Sequence, residues 1–456
     1  MLNKVLQNAK KKEKEYLQEL FHLLSIPSVS TLPEHHQDIH KAASWLAEHM
    51  EEVGLENIQI FETKGHPIIC GDWMHAKNMA TVLIYGHYDV QPPDPLDEWL
   101  SNPFGPQVRN NNIYARGAND NKGQLFIHLK SVDSFMETVG KLPVNIKFIL
   151  EGEEECGSDN LEDFITKNKK FLEADFALVS DTPSAAVDQP TLIYGLRGIL
   201  YTEITIQTAE HDLHSGEYGG AVENPVHVLS KIIARLHDKN RRVTIPGFYK
   251  DVADSTGEER KMFKKIGDAQ KLREHSGATR LVSEKGFTPS EAKRIRPTLE
   301  VNGIWGGFTA EGVKTVLPYK ASAKISMRLV PNQDPGKIEK DFEAYLRRLT
   351  PKTAKLSFKS YHSSNSVVVE REGKAMKAAV AALRETFGRE PLLDREGGSI
   401  PVVEMFSRIL GLQTVLMGFG LPDDNLHAPN EKFSLEMFRK GIETSIRFLS
   451  GIGSTN

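Results

Sequence analysis

Two kinds of apolar run divide this chain, and they demand two kinds of sheet. Thr81 to Tyr85, Val144 to Leu150, Phe176 to Val179 and Thr414 to Met417 are largely continuous in apolarity. A strand apolar on both sides must be covered on both sides, which predicts an α/β fold: a mixed, mostly parallel sheet flanked by helices. Leu200 to Gln207 and Ala321 to Val330 alternate instead. Ala321, Ala323, Ile325, Met327 and Leu329 share one face, and Ser322, Lys324, Ser326 and Arg328 share the other, as in a sheet with one wet face. Gln124 to Val139 has helical spacing through Leu125, Leu129, Val132 and Phe135. Pro225 to Leu236 and Pro335 to Leu349 are further helices, and Ala354 to Tyr361 reads as a last strand. The order βα…ββαβ predicts a small ferredoxin-like α+β domain inserted into the larger one. At 456 residues the chain also exceeds one comfortable core. We place the larger domain at 1–197 and 366–456 and the insert at 198–365, with the polar segment 239–297 as a helical excursion on the insert.

Composition narrows the function classes. The formal net charge is −4, and no Lys/Arg cluster has interleaved aromatics, so nucleic acid is not an expected partner. Lys10-Lys11-Lys12, broken by Glu13 and Glu15, reads as a solvated helix face. Two cysteines, Cys70 and Cys156, allow no disulfide framework and point to a reducing compartment. No apolar run approaches the ~18 residues needed to span a bilayer, and the charged N-terminal helix lacks the apolar core of a secretory signal. A cytoplasmic protein without membrane partners is expected.

Four of the apolar runs lead into residues that bind metals. His87 and Asp89 follow the run ending at Tyr85. Glu154 and Glu155 follow the one ending at Leu150, Asp181 follows Phe176 to Ser180, and His427 lies in the loop after Leu416. In open α/β sheets, sites form at the carboxyl ends of strands. Asp120, in Arg116-Gly117-Ala118-Asn119-Asp120-Asn121-Lys122-Gly123, completes the set. Imidazoles and carboxylates together suit zinc, and also manganese or cobalt. Two dications close together need several anionic ligands, and Asp120, Glu155 and Asp181 supply that charge. Glu154 is then left over as a general base, and Asp89, two residues from His87 in an extended segment, can orient the imidazole. Taken singly, each has a plainer reading: a surface His-x-Asp pair, a solvated acidic loop at 151–155, a first-turn acid at Asp120, a turn residue at Asp181. Their agreement in order and position favours the metal reading. Cys156 is read as a small packed residue.

These segments resemble a known family. Gly86-His87-Tyr88-Asp89-Val90-Gln91-Pro92, the run around Asp120, and Glu151-Gly152-Glu153-Glu154-Glu155-Cys156-Gly157-Ser158 are similar to the signatures of the co-catalytic metallopeptidases. That family includes carnosine dipeptidases, carboxypeptidase G, aminoacylases, acetylornithine deacetylase and succinyl-diaminopimelate desuccinylase. His211-Asp212-Leu213-His214-Ser215-Gly216, Lys314 to Pro318, Met327 to Asn332 and Glu396 to Pro401 resemble the cytosolic non-specific and carnosine dipeptidase branch. The resemblance implies a metal-dependent dipeptidase with two divalent ions per subunit, zinc first. It implies that His87, Asp120 and Asp181 hold one ion and Asp120, Glu155 and His427 the other, with Glu154 as base and Asp89 as orienting acid. It further implies substrate roles for His214, Thr315, Arg328 and Ser399, and a homodimer through the inserted lid in which His214 acts on the partner's active site. Arg328 lies on the polar face of its strand, where a guanidinium can clamp a terminal carboxylate. An N-acyl amino acid deacylase or desuccinylase with the same metals is the alternative. A metal-bearing binding protein would need neither Glu154 nor Asp89.

Overall fold

The continuously apolar runs lie side by side in a computed structural model that describes residues 1–253, 255–266 and 269–454. Two units divide the chain: Met1–Tyr194, Val369–Asp394 and Ile400–Asn456 form the first, and Gly195–Val368 with Arg395–Ser399 the second. A nine-stranded sheet runs in the order Glu56–Phe61, Ile68–Trp73, Asn145–Glu151, Thr81–His87, Phe176–Val179, Thr414–Leu416, Thr191–Leu196 and Val367–Val368, with Leu392–Glu396 also pairing with Thr191–Leu196. Its centre is parallel, from Asn145–Glu151 across to Thr414–Leu416. The flanking pairs are antiparallel, so the sheet is mixed. The parallel centre matters for function, because four adjacent strands there point their carboxyl ends the same way.

Helix Lys122–Val139 is buried on nearly every side, including Phe126, Ile127, His128 and Ser131. The sequence spacing marks only its sheet-facing stripe. Its outer side is covered by helices Leu2–Lys11, Glu13–Leu24 and Leu435–Gly453. Gly86 permits this approach, since a Cβ there would sit 2.6 Å from the Leu125 Cβ. Gly140 ends the helix in the left-handed conformation, φ 67°. Lys10 and Lys11 are solvated as expected, but Lys12 is not. Its ammonium reaches Glu137 at 2.6 Å and Asp133 at 3.3 Å on the buried helix, because it sits at the break between the first two helices and points inward.

His128 gives this core a pH dependence. Its ring is fully buried between Ser445 Oγ at 3.0 Å and Ser180 Oγ at 2.8 Å. Burial pushes its pKa down to about 3. The unfolded chain takes up this proton below the ordinary value of 6.5, while the native state resists until about 3. Stability from this group is therefore present above pH 6.5 and lost as pH falls toward 3. Urea unfolding of wild type and His128→Gln should diverge across that window by up to about 1.4 kcal/mol per pH unit, the wild type falling more steeply. Parallel curves would show that the imidazole does not carry the effect.

The second unit has a four-stranded antiparallel sheet in the order Thr298–Gly306, Lys320–Leu329, Gly198–Gln207, Lys355–Ser364. This is the strand order of a ferredoxin-like α+β sheet. The alternation works as expected: Ala323, Ile325, Met327 and Leu329 join Leu200, Ile204 and Ile206 in one core with Ile338, Phe342 and Leu346 of helix Pro335–Leu349. Helix Pro225–Ala234 adds Val228, Leu229 and Ile232. The excursion at 239–297 holds helices Gly257–Ile266, Ala269–Ser276 and Pro289–Ile295, while residues 254, 267 and 268 of that segment lie outside the described residues. Among the described residues, no helix is long and apolar enough to cross a membrane.

Candidate metal centre

The carboxyl ends of the four parallel strands converge on one acidic cluster. His87 is the last residue of its strand and has no exposed surface. Its Nδ1 faces the Asp89 carbonyl oxygen at 3.1 Å and Asp89 Oδ1 at 3.3 Å. That leaves Nε2 directed at Asp120 Oδ1, 3.2 Å away, and Asp181 Oδ2, 4.0 Å away. This nitrogen is buried and has no hydrogen-bond partner among the described residues. His427, with φ 59°, places Nε2 3.0 Å from Asp120 Oδ2 and 3.4 Å from Glu155 Oε2. Two triads result, His87 with Asp120 and Asp181, and Asp120 with Glu155 and His427, each with ligand atoms within 4.8 Å of one another. Asp120 belongs to both.

The electrostatics fit a dication better than a bare cluster. Burial pushes the Glu154 carboxyl well above the usual range, and Asp181, Asp120 and Glu151 push the same way against His87. Burial does the same to Glu155, with Asp120 and Glu154 adding to it. Asp181 is raised to about 6, by burial first and then by Asp120. Burial opposes the charge on His87 too, but Asp120, Asp89, Asp181 and Glu154 together hold its pKa well above the ordinary value. Asp120, unlike Glu154, Glu155 and Asp181, is held low, since burial is outweighed by the adjacent imidazoles of His427 and His87. A concentration of buried carboxylates facing an orphaned imidazole nitrogen is the donor set that divalent cations neutralise.

Several residues that build the centre escape a reading of the sequence. Glu431 is fully buried and accepts from Arg116 Nη1 at 2.9 Å and from the backbone N–H groups of Gly117, Asn119 and Asp120 at 3.0, 3.0 and 3.1 Å. It thereby shapes the loop that presents Asp120. Asn121 donates to Ser180 O at 2.7 Å and Asp181 Oδ1 at 2.8 Å. Gln91 donates to Glu155 Oε2 at 2.9 Å. Asp89 does more than face His87: its Oδ1 and Oδ2 accept the backbone N–H groups of Glu154 and Glu155 at 3.2 and 3.0 Å. Cys156, expected to pack, is exposed, because the turn at 154–156 presents it outward.

The other four candidate residues lie in the second unit, as two pairs. His214 pairs with Val316 on a short two-stranded ladder, and the carbonyl of Thr315, the residue before that strand, accepts the Ser215 N–H at 3.1 Å. His214 is exposed, and its Nδ1 accepts the Gly216 N–H at 3.1 Å. Arg328 Nη1 donates to Ser399 Oγ at 2.8 Å.

A model of peptidase family M20/M25/M40 matches residues 83–451. The Cys-Gly metallodipeptidase dug1 of Schizosaccharomyces pombe is 32% identical over 472 aligned positions, spanning 100% of this chain and 99% of the relative. The Beta-Ala-His dipeptidase of Homo sapiens is 30% identical, spanning 98% and 92%. Among solved structures, the M20 family metallo-carboxypeptidase Sso-CP2 from Sulfolobus solfataricus superposes with a TM-score of 0.88 at 35% identity, spanning 96% of this chain and 99% of the other.

Proposed function

The chain belongs to peptidase family M20/M25/M40, and from that premise we propose that it is a metal-dependent dipeptidase that cleaves dipeptides and short peptides. The observation that carries this reading is the pair of triads sharing Asp120, the first of which holds the buried His87 Nε2 without a hydrogen-bond partner. In this reading His87, Asp120 and Asp181 hold one divalent ion and Asp120, Glu155 and His427 the other. Zinc is the first candidate, with manganese and cobalt compatible with the same donors. The chemistry that divalent ions would supply there is Lewis-acid polarisation of the scissile carbonyl and a lowered pKa for the attacking water.

The residues of the chain do the rest. Glu154 takes the proton from the water and passes it to the leaving amine. Asp89 holds the His87 ring by Nδ1 and, through the two backbone N–H groups it accepts, fixes the turn that carries Glu154 and Glu155. Arg328 receives the terminal carboxylate of the peptide in its planar fork, with Ser399 holding one arm. Because the His214 Nδ1 accepts a hydrogen bond, its neutral tautomer carries the proton on Nε2, ready to donate to a developing oxyanion. Thr315 stands beside it as a substrate contact. Residues 1–197 and 366–456 take the catalytic role, and 198–365 the role of lid and dimerisation domain in a cytoplasmic homodimer.

Both curated relatives are dipeptidases by name, which ranks the N-acyl amino acid deacylase second. The test is to strip the protein of metal and assay Cys-Gly, β-Ala-His, ordinary α-dipeptides and N-acetyl amino acids, alone and after adding zinc, manganese or cobalt. Dipeptide cleavage restored by an ion is expected. Cleavage of N-acyl amino acids alone, or dipeptide cleavage indifferent to chelation, would overturn this reading.

A further inference from the structure

The second unit contains a cavity of about 930 Å³ whose wall includes Arg197, Lys239, Arg241, Lys293 and Arg328. With Arg296, six cationic side chains face three acidic ones, Asp238, Glu284 and Glu300. Two of the acids are already engaged. Glu284 accepts from Arg296 at 2.8 and 2.9 Å and pairs with Arg242 at 3.0 Å. Asp238 accepts the backbone N–H groups of Asn240 and Arg242 at 2.7 and 3.0 Å. Arg197, Lys239, Arg241, Lys293 and Arg328 have no carboxylate within 4.0 Å among the described residues.

Two of these cations are held in place by neutral groups. Arg197 donates from Nε to Gly397 O at 2.8 Å and from Nη1 to Arg296 O at 3.2 Å. Arg328 donates to Ser399 Oγ, which donates in turn to the Arg197 carbonyl. The guanidinium groups are thus oriented but not neutralised. Burial first, and then the like charge of Arg328, bring the pKa of Arg197 down to about 10, against the charges of Glu396 and Glu300, which raise it. Half-buried cations without counter-ions are costly, and an anion offering two carboxylates relieves that cost through charge-assisted hydrogen bonds.

We propose that this cavity receives the doubly anionic end of a substrate, so that the enzyme favours dipeptides whose C-terminal residue is aspartate or glutamate. The α-carboxylate meets Arg328 and Arg197, and the side-chain carboxylate meets the rim formed by Lys239, Arg241 and Lys293. The proposal rests on the dipeptidase reading for its substrate and on the cavity alone for its anion.

The experiment compares Ala-Asp with Ala-Asn, which has the same shape without the charge, on the full-length metal-loaded enzyme. The ratio of their kcat/KM values is expected to exceed roughly 10 and to approach one in the Arg241→Gln/Lys293→Gln double variant, two positions with exposed or half-exposed side chains. A second variant, Lys293→Glu, should push the ratio below that of the double variant. A wild-type ratio near one, or a high ratio that these variants leave intact, overturns the proposal. Calorimetric titration of the same proteins with glutarate and butyrate separates it from the dipeptidase reading. Binding at the metals is common to wild type and variant, so tighter glutarate binding lost in the double variant supports the cavity even if no dipeptide is cleaved. Equal binding of the two acids with no cleavage overturns both.

Discussion

Glu154→Gln is expected to lower kcat for dipeptide hydrolysis by about 10²–10⁴-fold, the usual contribution of a positioned general base. Three features make this a clean substitution. Glu154 belongs to neither ligand triad, so the variant should keep its full complement of metal. Glutamine has the shape of the glutamate it replaces, and the local backbone is held by Asp89 through the N–H groups of residues 154 and 155, not by the Glu154 side chain. Burial and the neighbouring Asp181, Asp120 and Glu151 raise the Glu154 pKa well above the carboxylate range, and removing its charge also removes repulsion from a crowded acidic cluster. The variant should therefore be no less stable than wild type while losing turnover. Steady-state kinetics and metal analysis on the same sample check both halves. If kcat stays within tenfold of wild type with metal bound, another group takes the proton.

The placement of this cluster was legible because strand ends leave a trace in sequence. Continuous apolar runs mark strands covered on both sides, and the first polar residues after each run lie at the same sheet edge when the strands are parallel. His87, Glu155 and Asp181 share that property, and the structure brings them together with Asp120 and His427. Supporting residues leave no comparable trace. Glu431 reaches the Asp120 backbone from 311 positions away, and what it recognises is a set of N–H groups that any residue carries. Asn121 occupies the N-cap position of helix Lys122–Val139, yet its side chain makes no cap hydrogen bond because its amide is spent on Ser180 and Asp181. Tertiary demand displaces the local role.

Strands Glu56–Phe61 and Ile68–Trp73 were missed for a different reason. The first is largely exposed along its length, and the second is interrupted by Gly71 and Asp72, although all six of its residues are buried. The first alternates only over Asn57 to Ile60, and the second presents neither a continuous apolar run nor an alternation. Lys12 escaped for a third reason: charge patterning locates solvated faces on a continuous helix, but the chain breaks at Lys12 and turns that side chain onto Asp133 and Glu137.

Asp120→Ala should be the most damaging single change in the chain, because one side chain serves both triads. Removing a ligand that belongs to one triad, as in His427→Ala, leaves His87, Asp120 and Asp181 in place, and about one ion per chain should survive dialysis. Removing Asp120 leaves His87 facing Asp181 alone at 4.0 Å and His427 facing Glu155 alone at 3.4 Å, two donors at each position where three stood. Metal content should fall below that of His427→Ala, and activity should fall by more than the roughly 10–100-fold that loss of an outer supporting group costs. A readout independent of turnover comes from mass action. An ion that binds only the folded chain stabilises it by about 2.7 kcal/mol at a concentration 100 times its dissociation constant. The rise in Tm on adding zinc or manganese to stripped wild type should shrink in His427→Ala and vanish in Asp120→Ala. Equal shifts in all three proteins would mean that the ions bind elsewhere, and that the convergence of four strand ends on Asp120 serves some purpose other than holding metal.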